Sequence, residues 1–546
     1  MNNFEFLFLN TFIFLVGRSF FIFLFKTTDN KNYFSTAQFI FYPAFGVILI
    51  SFSIFISNLF FPLKDIKTYL ITFFVILALF NLRHIKKVRL NKFLIFNYVF
   101  TPLILSISSY NIKFHYDAEA YHLATQSWVI NEKLTFGLSK YYIWLGHSSL
   151  FDYLQSIFSF QGNYIYQHYL NLAFFNLIIN FLCFHLINIK SKFFFNASFF
   201  IILYGILDNF GVGGGSNGFL EIQMVGKPDI VFGVTYFLIS IFLIYGIYEQ
   251  ESNTKEIKFL LILLVFLVQI RVTGLSVVIL LIPYVIKNIK HIKSTMKSLF
   301  FLNIVVYNLL WIFKNIAVSS CLFFPLEYSC LNFLPWSIKE NMSLLSEGYT
   351  QWGLSYKFDS NIFIFFKDWF NLGYNYQQVP NLIISLFLLI LIKKVLFVRT
   401  KKKSNFLYIY IFLIFVLNLY FTFHIRYMFG LILLVVVLIS NNGQLNDRFR
   451  FLRNRYVIYS LFLILTVGIP RGYSYNYMFN EPNYYKLPID YSEFRYKDNE
   501  KGIGVNSRNN KCYDILLCST HFTNTNTSIY LEEYFWNYKI FISNDA

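Results

Sequence analysis

Charge is what this chain lacks most. Only 14% of its 546 residues are charged, against 56% hydrophobic, a balance that a soluble protein of this size could not carry without aggregating, so a bilayer is the natural solvent. Acids are the scarcer sign, 28 Asp and Glu against 46 Lys and Arg. The resulting +18 would suggest nucleic acid only if the basic residues gathered on one soluble face, and here they sit between apolar runs, so no nucleic-acid partner is expected. Phosphate-cradling Gly motifs, zinc-type Cys spacings and internal repeats are missing; the one Gly-rich stretch, GVGGGSNG at 211–218, follows no strand pattern. The first apolar run has neither a basic leader nor a small-residue cleavage site, which speaks against a cleavable signal peptide.

What the chain has is apolar length. Runs able to cross, or nearly cross, a hydrocarbon core of about 30 Å start near residues 4, 37, 68, 93, 167, 194, 229, 258, 272, 298, 381, 405, 427 and 456. The expected fold class is therefore an all-α polytopic membrane protein of about 14 spans. Phe is so abundant, 71 residues, that aromatic stripes read first as composition. Short connections sort by sign: 83–92 carries five Lys/Arg and no acid, 287–297 four and none, 393–403 six and none, 447–455 four and one. The positive-inside rule makes these cytoplasmic. The long connections are slightly acidic, 110–166 with three Lys/Arg against four acids and 316–380 with three against five, and should face outward.

Span parity agrees with this assignment throughout. It requires 258–286 to be a hairpin between a polar loop and a basic one, with Arg271 at its tip. Thirteen helical residues reach only about 20 Å, so Arg271 should stop short of the outer surface, where a cation needs an anionic partner or a wet cavity. The expected organisation is three N-terminal spans in 1–92, a membrane core in 93–470 with outer loops 110–166 and 316–380, and a small extracytoplasmic domain in 471–546.

The strongest candidate for chemistry is KFHYDAEAYHLATQSWVINEKL, Lys113 to Leu134, in the first outer loop. If a helix begins at Asp117, Glu119 and His122 are three apart and share a face, while Asp117 points elsewhere or caps the first turn. The functional reading makes Asp117 or Glu119 a general base or a ligand for a divalent cation, the one cofactor these carboxylates could hold. A second cluster is VGKPDI, where Lys227 and Asp229 flank a proline that suits a helix start. A third, FHIRYMFG at 423–430, puts His424 and Arg426 at the outer end of a hairpin, where an arginine often only snorkels. Together Lys227, Arg271 and Arg426 set three cations against the carboxylates of the first loop, an arrangement that a phosphate-bearing lipid would satisfy. Trp352, Trp369 and the Trp after Pro335 read as interface anchors before sugar-stacking rings.

The chain resembles the GT-C superfamily of membrane glycosyltransferases, in a poorly characterised bacterial branch. The resemblance rests on YDAEAYHL after a span, GKPDIVFGVTYFLI, the QIRVTGLSVVILLIP hairpin, SSCLFFPLEYSCLNFLPWSI after a span, and KCYDILLCS in the tail. It implies the bacterial inner membrane and transfer of a sugar, with inversion, from a polyprenyl-phosphate donor to a glycan or lipid acceptor on the extracytoplasmic face. By position Asp117 would be the base with Glu119 as the alternative, and Arg271 the first choice for the departing phosphate. Two other readings stand beside it: an O-antigen-type polysaccharide polymerase or ligase leaning on outer-loop Arg and His, and a transporter, which would call for inverted repeats that the chain lacks.

Cysteine is the last scarcity. Five are present, and four form close pairs, Cys321 with Cys330 and Cys512 with Cys518, both on segments expected outside, where short-loop disulfides persist. Peptide mapping without reduction should recover both local bridges and a free Cys183; free thiols at all four positions would undermine the topology as well.

Overall fold

Apolar runs become helices in the computed structural model because hydrocarbon offers no partner for a backbone N–H or C=O outside its own segment. The structure describes residues 2–25, 33–85, 96–147, 149–159, 164–188, 191–209, 219, 222, 224–249, 252–338, 362–371, 375–399, 405–421, 425–441, 443–480, 494–496, 505–507, 518–520, 529–534 and 538–543. Among them, six helices are long and apolar enough to cross a membrane: Phe4–Phe25, Gln38–Asn58, Ile165–Ile187, Asp229–Tyr248, Leu299–Ser319 and Asn375–Leu396. A seventh results if the pair Val272–Lys287 and Ile289–Met296, bent by 101°, is taken as one. Shorter apolar helices occupy Leu407–Val416, Ile425–Ser440 and Arg455–Gly468. The chain is thus an all-α, multi-pass membrane protein.

Burial sorts the helices. Ile165–Ile187 is enclosed along nearly its whole length and is the axis of the bundle. Leu299–Ser319 leaves Leu302, Val306, Leu309 and Phe313 exposed, and Asn375–Leu396 leaves Ile383, Phe387 and Leu391 exposed. Such stripes would not survive in water, and they are the lipid-facing sides.

The segment 254–287 reverses at Arg271. The helix Thr254–Ile270 ends there on an extended residue, and Gly274 lies against Leu267 of the preceding turn. At the other end the Ser252 N–H donates to Asn288 Oδ1 (2.8 Å), closing the base of the hairpin. The helix Asp229–Tyr248 packs along both arms, with its first residue beside the tip and Ile247 beside the base, where Lys287 Nζ donates to the Ile247 carbonyl (2.7 Å). Two other basic connections meet as well: Lys393 Nζ donates to the Asn441 carbonyl (2.7 Å), and Phe397–Arg399 pairs antiparallel with Gly443–Leu445.

Near the end of the chain, a hairpin of Ile529–Tyr534 and Tyr538–Ser543 docks on the first large loop. Lys539 pairs with Glu132 (2.7 Å), the Phe136 N–H donates to the Lys539 carbonyl (2.8 Å), and Tyr538 donates to the Leu59 carbonyl (2.7 Å).

The helices Asp229–Tyr248 and Phe429–Ser440 cross at two glycines. A Cβ on Gly430 would stand 2.7 Å from the Gly233 carbonyl oxygen, and one on Gly233 would collide with Phe429. Small residues at such crossings let backbones approach closely in a bilayer. Gly233→Leu or Gly430→Leu should therefore lower stability by about 1–3 kcal/mol, seen as a reduced thermal midpoint in detergent. Gly472→Ala, with open space around the added methyl, should leave the midpoint in place; equal midpoints for all three would exclude the close crossing.

Candidate functional site

Two residues of parallel pairing build the frame. Lys113–Phe114 lies beside Met224–Val225, with Lys113 opposite Met224 and Phe114 opposite Val225. This sets His115 and Asp117 against Lys227 and Asp229, more than a hundred residues along the chain. Gly226 makes the approach feasible: its φ is +82°, which favours glycine, and a Cβ there would collide with the Ala118 methyl.

Asp229 opens its helix directly after Pro228, the helix start that the proline suggested, and its side chain is fully buried among cations. Arg271 Nη2 lies 2.5 Å from Asp229 Oδ1, Lys227 Nζ 3.6 Å from Oδ2, and Arg426 Nε 3.7 Å from Oδ2. Arg426 sits in the 3-10 turn Ile425–Met428 and faces two ways: its Nη2 also donates to Asp117 Oδ2 (2.7 Å). An isolated charge in such surroundings costs several kcal/mol, and each of these is compensated by opposite charge.

Tyr427 is shared by the two arginines. The Arg271 and Arg426 guanidinium carbons lie 4.4 and 4.7 Å from its ring centroid, and Arg426 Nη2 donates to its hydroxyl oxygen (2.6 Å). The π face thus stabilises two like charges that would otherwise repel.

His115 completes the set. Its Nε2 contacts Arg426 Nη1, while its Nδ1 lies 3.2 Å from Asp117 Oδ2 and 3.1 Å from the Asp117 backbone N–H nitrogen. Burial pushes His115 down to about 4, against the pull of Asp117, so the ring is neutral at physiological pH. Burial alone would raise the Asp117 carboxyl; the hydrogen bond from His115 and the Arg426 charge outweigh it and hold Asp117 well below the ordinary carboxylate range. Three cations and two carboxylates leave one positive charge in excess. The arrangement is suited to receive an anion.

Asp117, Lys227, Asp229, Arg271 and Arg426 therefore converge. Asp117 makes no capping bond, because its carboxylate is taken by Arg426. His122 is within electrostatic reach of Asp117 but takes its own hydrogen-bond partner elsewhere. Ala118–His122 is a π turn, whose wider spacing removes the face expected for Glu119 and His122, and His122 Nδ1 meets Asp152 Oδ1 (2.9 Å) in the interior. Asp152 Oδ2 accepts the Ser149 N–H (2.9 Å) in a capping box. His424 lies outside the described residues, as does Cys512, so the Cys512–Cys518 pair is not described. Cys321 and Cys330 are disulfide-bonded, and Cys183 is a buried free thiol. Among the described residues, no three His, Cys, Asp or Glu side chains group as a divalent-cation site.

His115, Tyr427 and Asp152 escaped the sequence reading. The first two lie inside motifs singled out there, KFHYD and HIRYM, but nothing local marks a histidine or tyrosine as partner to a distant arginine. For Asp152 the signal was the Ser149-x-x-Asp152 spacing of a capping box.

The fold and site define a multi-pass helical membrane protein with a buried, cation-rich site at one end of its bundle. The chain belongs to the family described as a domain of unknown function (DUF8201), whose model matches residues 4–433 and so contains the entire cluster. No curated protein and no solved structure matches the chain.

Removing the hub leaves two carboxylates exposed to each other. Arg426→Ala should cost about 3–5 kcal/mol, and adding Asp117→Ala should recover part of that loss in a double-mutant cycle. The depressed Asp117 group contributes stability in full above its ordinary value of 3.8 and loses it as pH falls toward its lower folded value. Asp117→Asn should flatten that acid limb, read from thermal midpoints between about pH 2 and 5.

Proposed function

We propose that this chain is a membrane glycosyltransferase of GT-C type, moving a sugar with inversion from a polyprenyl-phosphate donor to a glycan or lipid acceptor in cell-surface assembly. The observation that carries the reading is Arg426, shared between the outward carboxylate Asp117 and the cation-lined Asp229. In this reading the donor phosphate enters beside Arg271, Lys227 and Arg426, completing the charge balance that the two aspartates leave short.

The acceptor hydroxyl oxygen bonds to the anomeric carbon as the bond from that carbon to the phosphate oxygen breaks. The hydroxyl proton passes to a carboxylate, and the electron pair leaves on the polyprenyl phosphate, whose charge the cations stabilise. Asp117 is a weak base while Arg426 holds it. A phosphate that draws Arg426 away raises the basicity of Asp117 at the moment the donor is bound.

The site belongs on the extracytoplasmic face of the bacterial inner membrane, in a topology of about 14 spans. Its support is the distribution of charge. Arg271 and Asp229 share one end of the hairpin, while Lys287 and Asn288 begin the basic 287–297 connection at the other. The strands Ile529–Tyr534 and Tyr538–Ser543, docked on the first loop, support a C-terminal domain on the same side as that loop.

The central position of Arg426 also suits a polysaccharide polymerase or ligase, which would rest on arginine more than on a carboxylate. Complementation of a deletion strain separates the two. Asp117→Asn should insert normally and lower glycan transfer roughly 10²–10⁴-fold, with donor lipid accumulating. Unchanged surface glycan in that strain refutes the carboxylate mechanism, and a deeper loss in Arg426→Ala than in Asp117→Asn, at equal amounts of folded protein in the membrane, favours the polymerase or ligase.

A further inference from the structure

Beside the charged cluster lies a group of flat rings that the charge argument leaves without a role. Tyr121 is four residues beyond Asp117 on the turn that follows it, so the two stand one above the other on that element. Its ring is near-parallel to Trp144, with centroids 6.1 Å apart and planes at 18°. Trp144 is in turn near-parallel to His147, at 5.7 Å and 22°, and Tyr121 lies 5.8 Å from His147. All three rings are half-buried. Tyr121 and His147 each lie nearly parallel to Trp144 and are tilted by 40° to one another, so the three rings form one aromatic wall.

The wall is braced from behind. Phe324 meets His147 edge-on at 4.8 Å and belongs to a buried cluster with Ile143, Cys321 and Ile338, against which Trp144 packs. A Cβ on Gly146 would stand 2.8 Å from the Phe324 ring, so the backbone between Trp144 and His147 rests directly on it. The Cys321–Cys330 bridge closes the segment that carries Phe324. A disulfide on the apolar side of an aromatic surface fixes the surface without occupying its face.

Electrostatics agree with a stacking role. Burial pushes His147 down to about 3, so it is a neutral flat ring beside Arg271 rather than a fourth cation. Tyr121 stands within electrostatic reach of Arg271, and His147 within reach of both Arg271 and Asp117. A cation pocket for phosphate and an aromatic surface at its edge together match one ligand chemistry: a pyranose ring, with its face of C–H bonds, joined to a phosphate.

We propose that Tyr121, Trp144 and His147 form the surface on which the sugar ring of the lipid-linked donor stacks, with the Cys321–Cys330 segment holding that surface rigid. The inference rests on the donor reading given above and names the part of the site that reads sugar instead of phosphate. The cations recognise any polyprenyl phosphate, whereas the rings add affinity only when a sugar is attached.

The test uses the full-length protein in nanodiscs and two probes: polyprenyl phosphate, and polyprenyl phosphate carrying one hexose in its glucose, galactose and mannose forms. Wild type should bind at least one hexose-bearing lipid about three- to tenfold more tightly than the bare one. Trp144→Ala and Tyr121→Ala should each abolish that preference and leave affinity for bare polyprenyl phosphate unchanged, while Trp144→Phe keeps most of it. Tyr121→Ala serves where loss of Trp144 unfolds the braced segment. Equal binding of bare and sugar-bearing lipids by wild type, or a preference that survives Tyr121→Ala, overturns the stacking surface alone. Failure of wild type to bind either kind of lipid removes the donor reading and this inference with it.

Discussion

Charge compensation around Arg426 is the constraint on which the rest of the site depends. One guanidinium reaches Asp117 at 2.7 Å and Asp229 at 3.7 Å, and shares the Tyr427 ring with Arg271. Buried carboxylates persist only if cations stay in place, and buried cations only if carboxylates do. The elements carrying these groups are therefore tied to one another by electrostatics as well as by packing. A shift of any one leaves a charge uncompensated in low dielectric.

The backbone keeps those elements in register with few devices. Two residues of parallel strand bring the Asp117 loop to the Lys227 segment, and Gly226 removes the side chain that would hold them apart. One turn into the bundle, the Gly233–Gly430 crossing sets how closely the Asp229 helix and the helix after Arg426 approach. The hairpin that ends at Arg271 is closed far away, at Ser252 and Asn288, so its tip is positioned by its base. Precision here comes from close backbone contact, which is the driving resource in lipid, where apolar side chains gain little by meeting each other.

A site with one cation in excess and an aromatic edge separates two recognition tasks. In the proposed reading the cations act on the donor's anionic group and the rings on the flat apolar face of its sugar. Placing both at one end of a bundle with lipid-facing flanks means that a ligand with a long apolar tail can keep its tail in the bilayer while its head occupies the pocket. The disulfide-closed segment after Leu299–Ser319 gives that pocket a rigid wall made of a covalent link and a small apolar cluster.

The membrane class, the apolar helices, the hairpin at Arg271 and the Cys321–Cys330 bridge were legible from sequence, because each is a local property of composition, run length, charge sign or short spacing. The cluster was legible only as a roster. Asp117, Lys227, Asp229, Arg271 and Arg426 could be named, but Asp117 and Arg426 are 309 positions apart, and no periodicity links them. Glu119 and His122 show the opposite case: an α-helical spacing suggested a shared face, and a π turn together with Asp152 drew His122 inward. His115, Tyr427 and the aromatic wall had no local signal, since a neutral histidine or a half-buried tyrosine acquires its role from what a distant segment places beside it. Sequence alone determined that the chain carries apolar helices suited to a membrane and which residues carry charge, because solvation acts residue by residue. Which charges meet was decided by tertiary structure, because Coulomb energy in a low dielectric depends on separations of a few ångströms that only the packed bundle sets.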